Sequence, residues 1–201
     1  MSTEDASELT TNTQEESLAT DDFDITQALK EAVRARKANK VVGQESVEGE
    51  VEERAPEGRE NKPGKKVNLD IFEVHELSGG FFVTFSDKFN SILEDDLGEF
   101  HDLNRQISVF RTDRPELLTP EIYERAAKIC QQHLGISYED LIILQGAIRD
   151  CLMDARKKGT TEYVLGQLQT IFLPKPQIDF KVSGEPKYVG RNRLVELLAG
   201  D

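Results

Sequence analysis

The chain of 201 residues contains no Trp and only two cysteines, Cys130 and Cys151. Two thiols cannot build a disulfide framework, and without an export signal they are expected to be reduced and buried. Long apolar runs are also missing. The longest, Leu141-Ile142-Ile143-Leu144, is far too short to span a bilayer, so no membrane association is expected. Met1-Ser2-Thr3-Glu4-Asp5 lacks the basic and apolar regions of a secretory signal and is too acidic for a transit peptide. The expected location is the cytoplasm. No period repeats along the chain, which argues against a solenoid. Gly79-Gly80 is not followed by Lys-Ser/Thr, and no G-x-G-x-x-G occurs, so no phosphate-cradling loop and no cofactor is expected.

Positive charge is scarce as well: 25 basic residues against 38 acidic ones leave a net charge of −13. The excess is local. Residues 1–24 carry eight acids and no base, whereas residues 25–42 carry five bases against Glu31 alone. Residues 43–62 return to seven acids against three bases, residues 71–110 add eight against two, and the chain beyond 110 is balanced. Phosphate repulsion therefore disfavours direct nucleic-acid binding by the amino-terminal half. Apolar residues are 37% of the chain, charged ones 31% and aromatics 7%, which suits a soluble domain joined to a polar segment.

The expected organisation has four parts. Residues 1–22 read as a disordered acidic tail, 23–42 as an amphipathic basic helix, 43–66 as a charged linker, and 67–201 as the folded domain. In the second part, Asp24 and Gln27 form a capping-box pattern. Ile25, Ala28, Leu29, Ala32 and Val33 share one helical face, with Lys30, Arg34 and Lys37 opposite. That stripe is thin. The helix either docks on its own domain or orders on a partner, and the sequence leaves both open.

Beyond Val67 the pattern predicts an α+β domain, mainly α: antiparallel helices with a small β-hairpin or sheet. Two β-rich runs, around Val67–Val74 and Phe81–Phe85, flank Ser78-Gly79-Gly80. Ser86 opens a helix carrying Phe89, Ile92, Leu93, Leu97 and Phe100. Residues 103–112 read as a strand because Ile107, Val109 and Thr112 are β-branched. Thr119-Pro120 and Ser137 start two helices, closed by Gly135 and Gly159. A shorter helix follows from Thr161, then a strand through Ile178, Phe180 and Val182, and a last helix from Arg191 to Ala199.

Candidate chemistry is sparse. Cys130-Gln131-Gln132-His133 is half of a zinc pattern, and Cys151, His75 or His101 would have to complete it; the cysteines read better as core, so no metal is expected. No histidine sits in a nucleophile motif, so no catalytic residues are assigned. Glu94, Asp95, Asp96, Glu99 and Asp102 make an acidic face on the outside of a helix. Arg191 and Arg193 near Tyr188 are nonspecific as a phosphate motif.

These features point to a non-enzymatic interaction protein: an assembly factor, scaffold-like chaperone or regulatory adaptor. Its partner would be another protein, met through Leu29, Val33, Arg34 and Lys37 of the arm helix, through Leu194, Leu197 and Leu198 of the terminal helix, or both. Homo-oligomerisation remains open. Two other readings stand beside it. One is an acidic inhibitor mimicking nucleic acid through residues 71–110. The other is an enzyme whose site joins His75, His101 or Cys130 to carboxylates distant in sequence.

Overall fold

The computed structural model describes residues 24–41, 64–173 and 190–199. The acidic tail expected over 1–22, most of the linker, and the strand expected around Ile178, Phe180 and Val182 lie outside the described residues. The architecture is α+β, mainly α. Helix α1 (Ile25–Val41) is followed by β1 (Lys66–Leu69), β2 (Phe72–Leu77) and β3 (Gly80–Phe85). Helices α2 (Asp87–Leu93), α3 (Leu97–Asp113), α4 (Pro120–His133), α5 (Tyr138–Lys158), α6 (Thr161–Phe172) and α7 (Arg191–Ala199) complete it.

The sheet, expected as a small hairpin or sheet, is an antiparallel meander in the order β1-β2-β3. The first β-rich run is split by a tight turn at Asp70, which adopts φ 65°, so Val67 pairs with Val74. The alternation of Val67, Leu69 and Ile71 therefore belongs to a strand and the turn after it. Ser86 locks this turn from the other side. Its backbone N–H donates to the Ile71 carbonyl at 3.0 Å, its hydroxyl to the Asp70 carbonyl, and its oxygen accepts from the Phe89 amide at the start of α2. Asp70 is closed off by an ion pair with Lys88.

Residues 103–112 are helical, which corrects the strand reading. Phe100, Leu103 and Ile107 fall at helical spacing and are all buried. Burial of that stripe outweighs the weak local preference of β-branched residues. The helix expected to run from Ser86 to Phe100 is interrupted: Glu94 takes φ 48°, and a 3-10 turn over Glu94–Asp96 re-aims the chain into α3.

Two caps differ from expectation. Asp24 accepts from the Thr26 and Gln27 amides, but the Gln27 side chain donates to Glu31 instead of reaching back. At Thr119 the hydroxyl makes no bond to the helix backbone. It serves Glu121 instead, whose carboxyl is held below its ordinary range by its own backbone amide first and by Thr119 second. Ser137 caps α5 as expected, accepting from the Asp140 amide at 3.0 Å, and Gly159 ends it at φ 71°.

Helix α5 is the centre of the molecule, contacting β3, α4, α6 and α1. Leu141, Leu144, Ala147, Ile148 and Leu152 are fully buried on it. An aromatic cluster ties the sheet to α2 and α3, with Phe85 stacked on Phe89 at 4.2 Å and Phe100 edge-on to Phe85 at 5.5 Å. The thin stripe of α1 joins the same core: Ile25, Leu29 and Val33 are buried, with Leu29 and Val33 at 0% exposure.

Candidate functional site

Helix α1 lies against α5 and also touches α6 and α7. Its aliphatic residues occur at i, i+4 and i+8, so they line up along one face of the helix. Past the last of them the contact becomes polar. Arg36 makes a two-pronged ion pair with Asp150 of α5, Nε to Oδ2 at 2.6 Å and Nη2 to Oδ1 at 2.9 Å. Such a fork is the stronger geometry for an arginine–carboxylate pair. The guanidinium reaches it by crossing Gly146, one turn earlier on α5. A Cβ at that position would overlap the guanidinium itself. Gly146 therefore opens a notch in an otherwise strong helix, at a propensity cost of roughly 1 kcal/mol relative to Ala.

Lys37 continues the polar end. Its ammonium donates to the Leu198 carbonyl of α7 at 2.8 Å and stands 3.4 Å from Asp140 Oδ1 of α5. The other oxygen of Asp140 accepts from the Ser137 hydroxyl at 2.9 Å. One carboxylate thus serves the cap of α5 and the seating of α1. Beside it opens a cleft of about 350 Å³, lined by Lys37, Gln131, Ile136, Asp140, Val195 and Leu198 among others. Val195 on α7 is 45% exposed there. The lining mixes apolar side chains with one ammonium and one carboxylate, a character suited to a peptide or protein surface.

The structure places the residues singled out in the sequence as follows. Leu29 and Val33 of α1, and Leu194, Leu197 and Leu198 of α7, all point into the chain's own core. Arg34 is exposed on the outer side of α1, and Lys37 lines the cleft. Arg191 lies over Gly135, whose φ of 73° turns the chain out of α4, and Arg193 donates to the Ile171 carbonyl at 3.1 Å. The acidic residues sit at the α2–α3 junction. Glu94 and Asp95 are exposed, but Asp96 meets His133 at 2.7 Å, Glu99 pairs with Arg125, and Asp102 is 3.2 Å from Arg105. Part of that charge is balanced within the fold.

Among the described residues, Cys130 and Cys151 lie in the core. Burial pushes the Cys130 and Cys151 thiols up to about 12, which keeps both protonated and unreactive near neutrality. Among the described residues no group of three or more His, Cys, Asp or Glu side chains could hold a metal ion. On the outer face of the sheet, His75 Nε2 is 3.1 Å from Thr84 Oγ1 and 3.6 Å from Glu73 Oε2. One nitrogen faces both groups, whereas a relay needs the acid on the opposite nitrogen. Glu73 is itself engaged by Lys66 at 2.9 Å, and that contact raises the lysine above its ordinary value.

The sequence reading assigns no site role to Arg36, Asp140, Gly146 or Asp150. Gly146 in the middle of the strongest apolar stripe was the available signal, because a glycine there needs a reason. The Arg36–Asp150 pair spans 114 residues and leaves no mark in local pattern. Comparison with family models, curated proteins and solved structures finds no match.

Proposed function

We propose that this protein is a non-enzymatic interaction protein, an assembly factor, scaffold-like chaperone or regulatory adaptor working in the cytoplasm. It binds a partner protein at the cleft between α7 and the α4–α5 junction, to which α1 contributes Lys37. The observation that carries the reading is an open, mixed-polarity cleft framed by α7 and the α4–α5 junction. Lys37 of α1 reaches into it and Val195 is exposed at its rim. No described helix is long and apolar enough to cross a membrane, which is consistent with a protein partner in solution.

Site-specific photo-cross-linking in the native host tests this. Val195 on α7 and Val109 on α3 are matched controls, 45% and 47% exposed, and only the first lines the cleft. A benzophenone side chain at position 195 should trap a discrete protein that position 109 does not, and Lys37→Glu should weaken the adduct. The same adducts at both positions, or none at 195, would overturn the reading.

A further inference from the structure

Helix α1 occupies its seat with a pattern that can be read as a recognition code. Three aliphatic side chains at i, i+4 and i+8 enter the core, an arginine at i+11 crosses the Gly146 notch to Asp150, and a lysine at i+12 meets Asp140 and the Leu198 carbonyl. The seat is shaped for the charge as well as for the apolar stripe. Two carboxylates of α5 stand at its polar end, and a glycine clears the path of one guanidinium.

Among the described residues, helix α1 is seated by its contacts with α5, α6 and α7. Those contacts are three buried aliphatic residues, Ala28 and Ala32 packed partly buried beside them, and ion pairs that are one-third to one-half exposed. A competitor that reproduced these contacts would exchange with such an element.

We infer that the groove on α5 and α7 beneath α1 is a receptor for a basic amphipathic helix of a partner protein, and that α1 is its tethered internal occupant. The partner helix carries α1's own pattern, aliphatic at i, i+4 and i+8 with arginine at i+11, and binds by displacing the arm. Tethering places α1 at an effective concentration that can be on the order of millimolar, so the closed form is the resting state and the partner must outcompete it. The inference rests on the reading of the protein as an interaction module, and it adds a second surface, covered in the resting chain, to the open cleft.

The probe is a labelled, end-capped peptide with the sequence of residues 24–41, added to the full chain. Wild type should take it weakly, because its own arm competes. A full-length Leu29→Ser/Val33→Ser chain should bind it at least about tenfold more tightly. Asp150→Arg in that chain should abolish the gain, and a peptide carrying Arg36→Asp should restore it. Should the double serine variant fail to fold, full-length Arg36→Ala replaces it, with the apolar groove intact and the arm loosened; it too must gain affinity for the peptide. Equal binding by wild type and the arm variants overturns the inference, as does binding indifferent to Asp150→Arg. A wild-type dimer formed by arm exchange at micromolar concentration also overturns it. Failure of the Val195 cross-link with success here would remove the open cleft and leave the groove.

Discussion

Helices α1 and α5 lie against each other and carry the same kind of aliphatic stripe, yet they play opposite parts. Helix α5 runs for 21 residues, buries eight of them and is capped by Ser137 at one end and Gly159 at the other. It is packed by the sheet, by α4, by α6 and by α1. Helix α1 runs for 17 residues with three buried aliphatic side chains on a single face, and its polar end rests on half-exposed ion pairs. Fully burying an aliphatic side chain contributes roughly 1.5–3 kcal/mol before ordering costs are counted. A stripe of eight makes a scaffold. A stripe of three makes a ligand that the chain carries for itself.

The sharpest way to break the comparison is to delete the same chemistry from each helix. Leu144→Ala on α5 should lose roughly 2–5 kcal/mol of global stability by urea unfolding, with every probe moving together. Leu29→Ala on α1, an equally buried leucine, should lose less than about 2 kcal/mol. The arm can undock instead of taking the whole domain with it, so its docking free energy caps the loss. Amide exchange should then speed up along α1 and stay slow along α5. A Leu29→Ala loss as large as that of Leu144→Ala would make the two helices one cooperative unit.

Alkaline pH should act on the scaffold side. Burial pushes the folded thiols up to about 12, so the folded chain holds more protons and stability falls as pH rises from the ordinary thiol value of about 8.5 towards 12. Each thiol contributes up to about 1.4 kcal/mol per pH unit. Burial raises the Tyr138 phenol too, adding to the same slope. Urea midpoints should be flat from pH 7 to 8.5 and fall above pH 9. A midpoint unchanged to pH 10.5 would contradict the packing of both cysteines.

Smaller effects separate the polar end of the arm. Arg36→Ala should lose about 0.5–1 kcal/mol of arm docking, since the pair is partly solvated. Added salt should reproduce part of that loss in α1 exchange rates without touching α5. Gly146→Ala should leave global stability nearly unchanged while loosening α1. The helix gains roughly 1 kcal/mol of propensity, and the guanidinium loses its path to Asp150. A Gly146→Ala chain with α1 as protected as in wild type would show that the notch is incidental.

Much of the fold was legible from local pattern. Helices α4, α5, α6 and α7 follow their caps and stripes, because Ser137, Pro120, Gly135 and Gly159 state their boundaries in the sequence itself. Residues 103–112 were misread because Val109 and Thr112 suggest a strand while the deciding fact, the burial of Leu103 and Ile107 with Phe100, is tertiary. The third strand was hidden for a similar reason. The turn at Asp70 uses a positive φ that Asp tolerates, and the residues that hold it, Ser86 and Lys88, come 16 and 18 positions later. Of the candidate site, Lys37 and the leucines of α7 were legible as an amphipathic pattern. Their seat was not, because Asp140, Gly146 and Asp150 acquire their meaning only once α1 lies across α5.

The span of 114 residues between Arg36 and Asp150 has a consequence in time. During synthesis at about 5–20 residues per second, Arg36 is added roughly 6–23 seconds before Asp150, the residue that receives its guanidinium. Lys37 waits longer, since the Leu198 carbonyl lies 161 residues downstream. Each nascent copy therefore passes through an interval in which the arm has been made and the groove that seats it has not.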